Sequence, residues 1–214
     1  MVQFCYNLAD YLCNYALSEW ASIMVIKPSV NTTLSGLSAN GSVILRHPRW
    51  ADFDDWVALR KENQTYLQPW EPEWNAKHLT RLSYRSRLSR FKKMVSGGDA
   101  YPFHIFRASD DRLIGACNIT HIERGVAQSS KLGYWIGEHY ARQGFARASV
   151  TAACKFCYES LGLHRIEAAV QSDNLASIKV LENVGFQREG TARDYLKING
   201  KWQDHVVYAK LSGD

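Results

Sequence analysis

The stretch Gly133-Tyr134-Trp135-Ile136-Gly137-Glu138-His139-Tyr140-Ala141-Arg142-Gln143-Gly144-Phe145-Ala146-Arg147 holds the residue types best suited to gripping an anionic ligand. An apolar run that reads as a strand ends at Gly137, a polar loop follows, and a helical pattern starts at once, at about Ala146. The first N–H groups of a helix have no intrahelical acceptor and the macrodipole makes that end positive, so such a junction suits phosphate. Gly144 permits close approach of backbone to ligand. Arg142 and Arg147 flank the turn and can add charge. The two standard nucleotide loops are absent: no G-x-G-x-x-G follows a strand and there is no G-K-[ST]. On loop physics alone, an ordinary strand-to-helix turn remains open.

Other chemistry-bearing residues are scattered. Asn174 and Ser177 stand three apart at the head of an apolar-periodic segment, which fits an N-cap and its N3 partner as well as ligand contacts. Glu71 sits in Pro69-Trp70-Glu71-Pro72, where the prolines restrict the backbone. Asp194 and Asp204 lie on a predicted hairpin. His139, His164 and His205 have no spacing that supports a metal or a triad, so no metal is expected. Cysteines stand at 5, 13, 117, 154 and 157, an odd and irregular set that argues for a reducing compartment. Cys154-x-x-Cys157 falls within an apolar helical pattern and is expected to be buried packing.

These residues need a scaffold. The chain has 214 residues, with 46% hydrophobic and 22% charged residues, enough for one folded domain and unlike a disordered chain. A formal net charge of +5 permits an anionic cofactor without demanding one. No stretch of about 18 apolar residues would span a membrane. Val43–Leu45 reads as a strand, Asp52–Glu62 as a helix, and residues 75–95 as a basic helix ended by Gly97-Gly98. Strands follow at Phe103–Ala108, Leu113–Ile122 and Ser130–Gly137, then a helix over Ala146–Leu161. A strand at Arg165–Gln171 leads to a helix opened by Asp173 or Asn174 and closed by Gly185. Ala192–Ile198 and Lys201–Leu211 flank Asn199-Gly200, a strong hairpin signal. This order gives an α/β (α+β) fold with a mixed, mostly antiparallel central sheet, one βαβ crossover and helices on both faces. Residues 29–42 read as a loop or linker. The predicted organisation is therefore an N-terminal extension and linker over 1–42 and a domain over 43–211. A helix is expected over about residues 8–25, and Met24 is an alternative start, so residues 1–24 are expected to be dispensable for catalysis.

The segment Arg142-Gln143-Gly144-Phe145-Ala146 resembles the pyrophosphate loop of the GNAT superfamily of N-acetyltransferases. LGYWIG before it and Asp173-Asn174-Leu175-Ala176-Ser177 with Gly185-Phe186 after it resemble further family blocks in the same order. LQPWEPEW and the tail GTARDYLKINGKWQDHVVYAKL are similar to the RimJ/RimL type, which acetylates the N-terminal amine of ribosomal proteins. The resemblance covers roughly residues 43–211. It implies acetyl-CoA as co-substrate. Tyr134, Trp135 and Ile136 would pair with the pantetheine arm. Arg142, Gln143, Gly144, Phe145, Ala146 and Arg147 would hold the pyrophosphate, and Asn174 would contact the pantetheine side. Ser177 matches a serine near the sulfur and is the candidate proton donor to the leaving thiolate. Glu71 is a candidate base, because the resemblance places its segment beside the acceptor. Departures are plain: Ala141 replaces the first Gln or Arg of the loop motif, and Ala169, Leu181 and Leu196 occupy places where relatives keep catalytic groups.

The implied partner is the N-terminus of a ribosomal protein, alanine or serine first, free or on the ribosome, with no specific nucleic acid and no membrane. The implied state is a monomer or homodimer in the cytoplasm. Two other readings stay open: a small-amine acetyltransferase (amino acid, polyamine or antibiotic) and a non-catalytic acyl-CoA-binding module.

Overall fold

The computed structural model describes residues 31–74 and 77–214. The helix expected over residues 8–25 and the alternative start at Met24 lie outside the described residues. Among the described residues eight strands, β1 (Thr33–Ser38), β2 (Gly41–Arg46), β3 (Tyr101–Arg107), β4 (Arg112–Glu123), β5 (Ser129–Ile136), β6 (Arg165–Gln171), β7 (Gln187–Ile198) and β8 (Lys201–Leu211), form one sheet in the order β1-β2-β3-β4-β5-β6-β8-β7. All neighbours pair antiparallel except β5 with β6. The helices are α1 (Phe53–Glu62), the single turn α2 (Gln64–Leu67), α3 (Arg81–Gly97), α4 (Phe145–Lys155) and α5 (Leu175–Val184).

Successive residues of a strand point to opposite faces. On β5 this decides the layers. Tyr134 reaches Ser177 of α5, whereas Trp135 lies against Arg60 of α1. Thus α4 and α5 cover one face, and α1 and α3 the other, where Tyr84 of α3 meets Trp56 of α1. Phe103, Ile105, Ile114, Ile119, Phe145 and Ile166 are buried between the layers. Cys154 and Cys157 are buried as expected, and burial pushes both thiols up to about 12.

The sheet begins earlier than expected. The loop or linker reading of residues 29–42 is corrected over Thr33–Ser38, which pairs along its whole length with β2 around the Ala39-Asn40 turn. Serine, threonine and glycine masked the alternation, but only one side of this strand needs to be apolar. Gly36 serves the other requirement: a Cβ there would lie 2.4 Å from the Ala148 carbonyl oxygen, so β1 packs directly on the α4 backbone. The basic helix also starts later than expected. Thr80 caps α3 by accepting from the Ser83 N–H at 3.2 Å, and left-handed Gly98 ends it. Helix α4 ends at Lys155 and passes into a π turn over Phe156–Ser160.

Candidate active site

The opening feature is a split in the sheet. Strands β5 and β6 pair only through Ser129–Lys131 with Arg165–Glu167. Beyond these residues β5 stays paired with β4 as far as Ile136, and β6 stays paired with β8 as far as Gln171. The two parallel strands therefore diverge towards their C-terminal ends. The β6-facing edge of Leu132–Ile136 has backbone donors and acceptors that no ladder uses, and such groups require partners when covered. An extended ligand with amide groups can pair there.

Both helix starts of this face converge on the wide end of the split. Strand β5 runs through Gly137 and a short turn, Glu138–Tyr140, into α4. Arg142 (φ 60°) and Gly144 (φ 83°) adopt left-handed backbone on either side of Gln143, a geometry that can bring successive N–H groups towards one point. The N–H groups of Phe145, Ala146 and Arg147 open α4, and Arg142 and Arg147 are exposed beside them. The loop is held from outside. Buried Asn63, at the end of α1, accepts from the Glu138 N–H at 2.6 Å and donates to the Leu59 carbonyl at 2.8 Å. Asn40, in the β1–β2 turn, donates to the Gln143 carbonyl at 3.1 Å, while Gln143 donates to the His139 carbonyl at 2.8 Å. Neither Asn63 nor Asn40 was singled out from the sequence. Of the two, Asn40 alone stands in a turn-type context, in Ala39-Asn40 before Gly41.

At the other lip, Asn174 caps α5 by accepting from the Ser177 N–H at 3.1 Å. Capping does not consume the Ser177 hydroxyl, whose oxygen lies 2.8 Å from Tyr134 Oη. Tyr134 Oη is also 3.1 Å from the Ser177 carbonyl, to which it can donate. Burial raises the Tyr134 phenol above its usual range, so it remains protonated and able to donate. The pair thus joins β5 to α5 across the split and places two hydroxyls together.

Glu71 lies on the opposite face. Segment Gln68–Trp70 forms one 3-10 turn and is tied down from two sides. Gln171, at the end of β6, donates to the Pro69 carbonyl at 3.0 Å, and the Asn199 N–H of the β7–β8 turn donates to the Glu71 carbonyl at 2.9 Å. Arg60 of α1 forks onto the Glu71 carboxylate, with Nη1 2.8 Å from Oε1 and Nη2 in contact with Oε2. Trp74 Nε1 donates to the same Oε2 at 2.9 Å. The Arg60 guanidinium lies 4.1 Å from the Trp74 ring centroid and 5.0 Å from that of Trp135. Trp74 stacks on His78, which is held down to about 4 chiefly by burial and further by Arg87 and Arg60. Both Glu71 carboxylate oxygens are thus engaged, by Arg60 and by Trp74, and the group is held in one orientation. Asp204 bonds the Asp194 N–H at 2.8 Å and so braces the hairpin.

Residues 42–187 match the acetyltransferase (GNAT) domain family. The [Ribosomal protein uS5]-alanine N-acetyltransferase of Escherichia coli (strain K12) is 33% identical over 153 residues, covering 72% of this chain and 79% of that protein. An uncharacterized N-acetyltransferase, p20, of Bacillus licheniformis is 35% identical over 127 residues, covering 59% and 71%. Mycobacterium smegmatis RimJ, solved in complex with CoA-disulfide, superposes with a TM-score of 0.81 at 31% identity, covering 85% of this chain and 88% of that one.

Proposed function

The chain belongs to the GNAT acetyltransferase family, and on that premise we propose that it transfers the acetyl group of acetyl-CoA to the N-terminal α-amine of a ribosomal protein, with alanine as the preferred first residue. The observation that carries the proposal is the β5–β6 split with a helix start at each lip. The free edge of Tyr134–Ile136 suits the amides of a pantetheine arm, and Arg142–Arg147 suits a pyrophosphate. Asn174 stands on the α5 side. Ala141 removes one side chain from the loop motif but leaves its backbone N–H groups. For the acceptor, the reading draws on the uS5-alanine N-acetyltransferase relative and on Glu71, which with Arg60 and Trp74 lies on the same face of the sheet as Trp135.

Bound acetyl-CoA supplies an activated thioester, and this chain's residues supply placement and protons. An α-amine has a pKa of about 7.7–8.0, so a useful fraction is neutral near neutrality and a strong base is unnecessary. Holding amine and thioester together provides a large share of the rate. In this scheme a backbone N–H of Tyr134–Ile136 stabilises developing oxyanion charge. The Tyr134–Ser177 hydroxyl pair can deliver a proton to the departing sulfur.

Glu71 orients the amine in this scheme. Glu71→Gln is expected to lower kcat/KM for an alanine-starting peptide by roughly tenfold and to leave acetyl-CoA affinity unchanged. Steady-state kinetics with both substrates varied would check it. Unchanged peptide kinetics in the folded variant would remove Glu71 from the acceptor site.

A further inference from the structure

We infer that Arg60 is a positioning residue that keeps the acceptor amine neutral by compensating the charge of Glu71. The inference rests on the reading that an α-amine reaches Glu71. Arg60 is 4% exposed, on the buried side of α1, while the Glu71 side chain is 21% exposed and is the part of the pair an acceptor can reach. The guanidinium is held in place: two nitrogens fork onto the carboxylate, and the Trp74 and Trp135 indoles lie 4.1 Å and 5.0 Å from its central carbon. Its Nε is buried without a hydrogen-bond partner, so the side chain is placed for Glu71 at the expense of its own Nε donor.

The placement has a chemical consequence. A lone carboxylate close to an amine stabilises the ammonium form, which cannot attack a thioester. A carboxylate joined to a guanidinium can still accept a hydrogen bond from the amine, but the pair carries no net charge. The other ionisable groups around the pair do not reverse this. From α3, Arg87 adds positive charge and Tyr84 is uncharged, its phenol raised by burial. His78, before α3, is neutral at physiological pH. Glu73 lies on the same segment as Glu71 but faces Gly200 of the hairpin turn. From β5 the neighbour is Trp135, and from the hairpin it is the Asn199 backbone. The pair with Arg87 therefore presents the amine with a neutral-to-positive surrounding, which favours the free base.

The test is the pH dependence of single-turnover acetyl transfer to an alanine-starting peptide, with enzyme in excess. Arg60→Gln leaves Glu71 uncompensated, so the acidic inflection should move up by about one pH unit. Arg60→Lys keeps the positive charge and should restore the parent inflection, even at a lower rate. Glu71→Gln leaves Arg60 alone beside the amine and should move the inflection down, which keeps the test available if Arg60→Gln does not fold. A purely structural Arg60 would lower the rate equally at all pH values. Coincident inflections in the parent and any folded charge-altered variant, Arg60→Gln or Glu71→Gln, would overturn the inference while leaving the acetyl-transfer reading intact. A parent that acetylates no peptide at any pH would overturn both.

Discussion

A Gly144→Asp protein should bind coenzyme A at least about a hundredfold more weakly than the parent while remaining folded. Three effects act in the same direction. Gly144 has φ 83°, where a side chain is strained by about 1–2 kcal/mol. A Cβ would lie 3.1 Å from Ser38 Cβ, which presses on the β1–β2 turn. The added carboxylate stands at the N-cap position of α4, beside the proposed phosphate site, and like charges near a protein surface repel by about 4 kcal/mol at 4 Å. A hundredfold loss needs only about 2.8 kcal/mol. Titration calorimetry checks the affinity and circular dichroism the fold. Gly144→Ala carries the strain without the charge and should fall between the two. Equal affinity in the parent and a folded Gly144→Asp variant would place the phosphates elsewhere.

Ser177→Ala should lower kcat for acetyl transfer by roughly ten- to a hundredfold and change coenzyme A affinity little. The substitution is clean at the backbone, because Asn174 accepts from the Ser177 N–H and not from its hydroxyl. It removes the group 2.8 Å from Tyr134 Oη, leaving the tyrosine proton directed at the Ser177 carbonyl or at the split itself. The thiol leaving group resembles cysteine in acidity, with a pKa of about 8.5, so proton donation is helpful but not indispensable, which sets the upper bound. Rapid-quench measurement of the chemical step, beside the melting temperature, separates this role from helix capping. An unchanged chemical step would return Ser177 to a structural position in the first turn of α5.

The β5–loop–α4 unit and the closing hairpin were legible because their periods and turn residues agree locally. Gly144 before an apolar helix and Asn199-Gly200 between two strands each announce their backbone conformation. Strand β1 was not legible, since Leu34 alone on its inner side is outweighed by serine, threonine and glycine, and its fit depends on Gly36 meeting α4 over a hundred positions away. The Arg60–Glu71 pair needs the chain to fold back through Gln68–Trp70, and nothing in residue spacing shows that turn. Asn63 reads as an ordinary helix end until β5 brings Glu138 to it. The proposed cofactor side is thus readable from local pattern, whereas the proposed acceptor side is assembled from α1, the Pro-flanked segment and the hairpin turn.

The most direct measurement presents the purified full chain with acetyl-CoA and a panel of acceptors: peptides starting with alanine, serine or another residue, the same peptides blocked at the N-terminus, and free polyamines and amino acids. Free-thiol release gives the rate, and mass spectrometry locates the acetyl group. The account predicts turnover of unblocked peptides, fastest with alanine first, with the acetyl group on the α-nitrogen and none on the blocked peptides. Faster turnover of a polyamine or free amino acid, or binding of acetyl-CoA with no acceptor turned over, would contradict it.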